Sequence, residues 1–96
     1  MINFSNPYTS IFVKALKKGK KNAITQKTLT HNGMGKGEEI RSMVHDARVS
    51  GIPICSGSKG YYIAETDEEL TETIAHLEAR RDALDEVIGA MRNMTI

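Results

Sequence analysis

Apolar residues recur along this chain with two different periods, and the change from one to the other locates the structural elements. Ile11, Phe12, Ala15 and Leu16 fall at helical spacing, and Lys17, Lys18, Lys20 and Lys21 crowd around Gly19 behind them, where cations complement a helix dipole. A first helix is predicted over about Thr9–Lys18, preceded by an arm, Met1–Pro7, whose proline ends any local helix. Thr25 or a residue before it caps a short second helix through Gln26–Thr30. Three glycines in five positions, Gly33, Gly35 and Gly37, then stop the helix and turn the chain sharply. Beyond them Ile40, Met43, Val44 and Ala47 form a stripe at i, i+3, i+4 and i+7. Glu38 and Glu39 stand at the start of this third helix and Gly51 at its end.

The period then shortens. Ile52-Pro53-Ile54-Cys55-Ser56 and Tyr61-Tyr62-Ile63-Ala64 flank Gly57-Ser58-Lys59-Gly60, which predicts a β-hairpin with Pro53 in an edge position. Alternation places Ile52, Ile54, Tyr61 and Ile63 inward, and Tyr62 and Lys59 outward. Thr66 followed by Glu69 is a capping box that opens a last helix. Along it Leu70, Ile74, Leu77, Arg81, Leu84, Ile88 and Met91 are spaced alternately by four and three, a heptad seam interrupted only by Arg81. A helix of about 26 residues extends about 39 Å, more than so small a domain covers. The seam is therefore expected to pair two chains into a dimer, with folding back onto its own domain as the alternative. Arg81 would select the register or an antiparallel pairing by reaching an acid of the partner chain.

The 96 residues suffice for one compact domain, read as a body over residues 1–65 and a helical appendage over 66–94. A core of this size buries only roughly 60% of the unfolded chain's surface, which favours support from a partner chain. One cysteine excludes an internal disulfide framework, and no leader pattern opens the chain, so a cytoplasmic protein is expected. No apolar run approaches the ~20 residues a bilayer crossing needs. The net charge of +1 conceals a division: residues 1–64 carry ten Lys/Arg against three acids, a net of +7, and residues 65–96 carry three Arg against nine acids, a net of −6. A basic body favours a polyanionic partner.

Enzyme chemistry finds no foothold. His31, His45, His76 and Cys55 are scattered, without the spacing of a metal site or a nucleophile motif, so neither metal nor cofactor is expected. Gly33-Met34-Gly35-Lys36-Gly37 has neither the spacing nor the hydroxyl of a phosphate-binding Walker loop. Three helices followed by a hairpin is, however, the element order of a winged helix-turn-helix. The expected fold is mainly α with a small β-hairpin, a winged helix-turn-helix plus a long C-terminal helix. Its third helix would present Arg41, Ser42, His45 and Arg48 to base edges or phosphates, with Lys36 beside its start and Ser58 and Lys59 on the wing.

The run "GEEIRSMVHDARVSGIPICSGSKGYYIAE" adds a specific likeness. Residues 24–64 around it resemble the winged helix-turn-helix proteins of bacteriophages and prophages, related in pattern to the N-terminal domain of biotin operon repressors. "EIR" followed by "GIPI" matches the recognition helix and first wing strand, and "SGSKGYY" the wing, whereas Val49-Ser50 replaces a more usual pair. "AETDEELTETIAHLEARRDALDEVI" is similar to the acidic helical tail of these proteins. The resemblance implies double-stranded DNA binding, with recognition roles for Arg41, His45 and Arg48 and wing roles for Ser58 and Lys59. The leading expectation is a dimeric, sequence-specific transcriptional regulator. The alternative is a protein-interaction module of a mobile element, an inhibitor or antirepressor, that binds a host or phage protein through the acidic helix or the basic face.

Overall fold

The computed structural model describes residues 4–95. The elements follow in the order α1 (Thr9–Ala15), α2 (Gln26–His31), α3 (Gly37–Val49), β1 (Ile54–Gly57), β2 (Gly60–Ile63) and α4 (Asp67–Arg92), with a 3-10 turn at Lys20–Asn22. The chain is thus mainly helical with one antiparallel hairpin, in the register Ile54↔Ile63, Cys55↔Tyr62, Ser56↔Tyr61 and Gly57↔Gly60. Thr25 caps α2 as its sequence predicts, its hydroxyl accepting from Thr28 N at 3.2 Å. At the turn into α3, Gly33 takes φ +86°, a conformation costly for other residues. Glu39 Oε1 accepts from Lys36 N at 3.2 Å at the start of α3. Lys36, whose side chain only donates, cannot return that bond.

α1 stops at Ala15, not at Lys18. Leu16 is extended, and the lysine-rich segment after it lies along β2: Ile63 N donates to Lys17 O at 2.8 Å and Gly19 N donates to Ile63 O at 2.9 Å. Ile24 then pairs with Tyr61 through two reciprocal bonds of 2.9 and 2.8 Å. β2 is therefore bonded along both edges and β1 is the outer strand, so that Pro53, just before it, costs no ladder bond. Gly60 answers the same close approach. Its φ is +114°, and a Cβ there would run into the Ile24 carbonyl.

Phe12, Leu16, Leu29, Ile40, Met43, Val44, Ala47 and Ile54 form the core, with Phe4, Ile24, Ile52, Tyr61 and Ile63 packed against it. Each such large side chain taken fully out of water contributes about 1.5–3 kcal/mol. The expected outward placement of Tyr62 is corrected: Tyr62 is buried, as is its pair Cys55. Both lie on the hairpin face turned away from that core, and the first turns of α4 cover it. Thr73 is buried there, and the Cys55 thiol donates to Glu69 O at 3.5 Å. Burial pushes the Tyr62 phenol above its ordinary value.

Two carboxylates tie the chain's ends to this body. Asp46, buried on α3, accepts from Ser5 N and Asn6 N at 3.0 Å each and from the Thr9 hydroxyl at 2.7 Å. It anchors the arm and supplies acceptors at the start of α1, whose N-cap Tyr8 makes no side-chain cap bond. The Asn6 N–H and then the Thr9 hydroxyl hold the Asp46 carboxyl below its ordinary value, against the opposing effect of burial. Residues 1–3 of the expected arm lie outside the described residues. At α4 the Thr66 hydroxyl accepts from Glu69 N at 3.2 Å, the first half of the expected capping box. The Glu69 carboxylate reaches further back, to Glu65 N at 2.8 Å and Lys20 N at 2.9 Å. Those two bonds, in that order, lower its pKa. An ion pair of 3.1 Å between Lys20 and Glu72 joins the basic and acidic halves at the same place.

Candidate nucleic-acid interface

An open cleft of about 740 Å³ lies where α3, the hairpin tip and α4 face one another. α3 brings Arg41, Val44, His45 and Arg48 to it, because burying Ile40, Met43, Val44 and Ala47 turns the positions one residue on toward this side. The hairpin brings Ser56, Ser58 and Tyr61, the start of α2 brings Thr25 and Gln26, and α4 brings Thr73, His76, Leu77 and Arg80. Three arginines and two histidines converge, and no carboxylate lines the cleft. Such a surface attracts a polyanion and offers it planar, multidentate donors.

The site residues expected from sequence divide into groups. Arg41, His45, Arg48 and Ser58 meet in the cleft. Arg48 is also a strut: its Nε donates to Ile54 O at 2.9 Å and its Nη2 to the Ser56 hydroxyl at 3.3 Å, which fixes α3 against β1. Burial lowers the Arg48 pKa, and the nearby Arg80 charge acts in the same direction. Lys59 stands exposed at the hairpin tip, and Lys36 caps α3 away from the cleft. Ser42 faces the opposite flank of α3, where it lines a second cleft of about 560 Å³ together with Tyr8, Ile11, Met34, Glu38 and Glu39. That flank is acidic and apolar. The polar side of α3 thus presents two unlike surfaces.

Thr25, Gln26, Tyr61, His76 and Arg80 were not expected at the site. For Arg80 a signal existed: Thr73, Leu77 and Arg80 share one helical face at spacings of four and three. That face competes in the sequence with the heptad seam, which has the more regular pattern.

The seam itself is divided. Leu70 is half-buried against the chain's own body and Leu77 lines the cleft, whereas Leu84, Ile88 and Met91 are 57%, 46% and 61% exposed. Ile74 is 46% exposed. Arg81 is engaged within its own helix, 3.4 Å from Asp82 and 4.0 Å from Glu78.

No family model, curated protein or solved structure matches this chain. Among the described residues no helix is long and apolar enough to cross a membrane, and no three His, Cys, Asp or Glu are grouped to hold a metal ion.

Proposed function

We propose that this chain binds double-stranded DNA as a winged helix-turn-helix of the phage and prophage type and acts as a dimeric transcriptional regulator. The observation that carries this reading is the cleft between α3 and the hairpin, lined by Arg41, His45, Arg48 and Ser58 and free of carboxylates. α3 is the helix that enters the major groove, where Arg41 and His45 reach base edges. Arg48, held by β1, and Ser58 and Lys59 on the wing meet the phosphate backbone, which positions the module without specifying sequence. The single antiparallel bridge of Ile24 to Tyr61 supports the same topology, since it pairs the segment between α1 and α2 with the hairpin.

Dimerisation would run along the distal seam of α4, through the exposed Leu84, Ile88 and Met91, and not through Leu70 and Leu77, which the chain's own body and the cleft engage. Two copies would then present two modules to two half-sites.

The test is fluorescence anisotropy of a mixed-sequence duplex pool across a salt series, with an Arg41→Glu/Lys59→Glu variant beside the wild type. Expected is binding at micromolar concentration or tighter at low salt, weakening steeply as salt rises and lost in the variant. One observation favours a second reading, binding of a basic protein by the distal part of α4: Asp85 and Glu86 flank its exposed apolar residues. That reading predicts no duplex binding and tolerance of the Arg41→Glu/Lys59→Glu change.

A further inference from the structure

Adjacent arginines of α4 have opposite surroundings. Arg81 lies against Glu78 and Asp82 of its own helix. Arg80 lines the cleft with His76 and makes no ion pair among the described residues, although its helix carries eight acids. Across the cleft stands Arg48, oriented by the Ile54 carbonyl and the Ser56 hydroxyl. The path of α4 sets this up. Its first turns are pinned over Cys55 and Tyr62 by Glu69 and Thr73, so the following turn carries His76 and Arg80 to the lip of the cleft and not into open solvent. Two guanidinium groups then face one cavity that holds no carboxylate between them. Like charges so placed repel, and an anion seated between them converts that repulsion into two charge-assisted contacts.

We propose that α4 forms a third wall of the nucleic-acid site, with Arg80 and His76 binding a backbone phosphate of the DNA jointly with Arg48. The inference rests on the reading of the cleft as a DNA site and adds to it a contact from the helix that the chain's charge division marks as acidic. One consequence follows for the whole molecule. A phosphate held between α3 and α4 clamps the long helix to the body, so that DNA binding stiffens the element on which the distal seam projects.

The experiment compares wild type with Arg80→Gln, Arg81→Gln and Arg41→Gln on a fluorescein-labelled duplex of roughly 20 base pairs, with affinity followed against salt. Arg80 and Arg81 are both exposed, so circular dichroism melting is expected to be unchanged in either variant. Arg80→Gln should bind more weakly at low salt and lower the slope of log K against log salt by about 0.9, the signature of one lost phosphate contact. Its deficit relative to wild type then narrows by about 3.5-fold between about 50 and about 200 mM salt. Arg81→Gln should follow the wild type. If Arg80→Gln keeps the wild-type slope and affinity while Arg41→Gln is weakened, the third wall is refuted and DNA binding by α3 stands. If the folded wild type binds no duplex at about 50 mM salt, both fall together.

Discussion

The two halves of α4 share one helix and one amphipathic rhythm, yet they live in different surroundings. The proximal half is built into the body: Glu69 is bonded to two backbone N–H groups, Thr73 is buried, and Tyr62 and Cys55 are sealed beneath it. The distal half exposes Leu84, Val87, Ile88 and Met91 at 46–61% of their surface. Periodicity therefore says that a helix has an apolar face. What covers that face is decided by the rest of the chain. Here a hairpin with a tyrosine on its outer side covers the first turns, and the last turns stay exposed.

The sharpest way to break this contrast is to remove what the proximal half buries. Tyr62→Ala is expected to destabilise the fold by about 3 kcal/mol or more in urea denaturation, because an aromatic lost from a closed interface leaves a cavity. A loss below about 1 kcal/mol would mean that α4 is not seated on the hairpin. In the distal half the corresponding change, Leu84→Ala with Ile88→Ala, is expected to act on assembly. The wild type's melting temperature should rise with protein concentration and its mass should be that of two chains, and the double variant should lose both properties. Retention of dimer mass by the double variant would place the pairing elsewhere.

Thr66→Ala removes the cap at the point where α4 begins and should cost about 1 kcal/mol, read as a lowered melting temperature. The acid limb of stability sharpens the same comparison, since Asp46 and Glu69 both belong to the body. Both carboxyls titrate lower in the folded chain than their ordinary values of 3.8 and 4.5. The unfolded chain consequently binds protons first as pH falls. Their contributions are complete above those unfolded values and vanish as pH drops through the folded ones. The melting temperature should therefore be flat near neutrality and decline in acid, and Asp46→Asn should lower it at pH 7 while flattening the decline. A decline as steep in Asp46→Asn as in wild type would remove Asp46 from this role. Smallest of all, Val49→Ser on the exposed end of α3 should stay within about 0.5 kcal/mol of wild type.

Local chemistry made much of the fold legible in the sequence. The Thr25 and Thr66 caps, the glycine turn before α3, the hairpin and the full run of α4 were all readable, because each depends on residues within a turn or two. What escaped depends on contacts between distant segments. A bridge at the single residue Ile24 leaves no alternation to detect, and α1 ended early because Lys17 and Gly19 bond to Ile63, 46 and 44 positions away. Asp46 reads as an ordinary helix acid, yet its partners, Ser5, Asn6 and Thr9, are about forty residues earlier. Tyr62 has the spacing of an exposed strand residue, and only the arrival of α4 encloses it. The cleft follows the same rule. Arg41, His45, Arg48 and Ser58 were visible as the polar side of a helix and the tip of a hairpin, whereas His76 and Arg80 belong to the site through the path that α4 takes after leaving the hairpin.

The central claim is that one cleft, walled by α3, the hairpin and the proximal half of α4, takes the DNA. Its most direct test is a ¹⁵N–¹H spectral titration of the full chain with a short duplex. The expected result is shifts concentrated at residues 41–48, 56–60 and 76–80, with residues 84–94 and the Tyr8–Ile11 flank little changed. Shifts confined to the distal half of α4, or a spectrum unaltered by excess duplex at low salt, would contradict it.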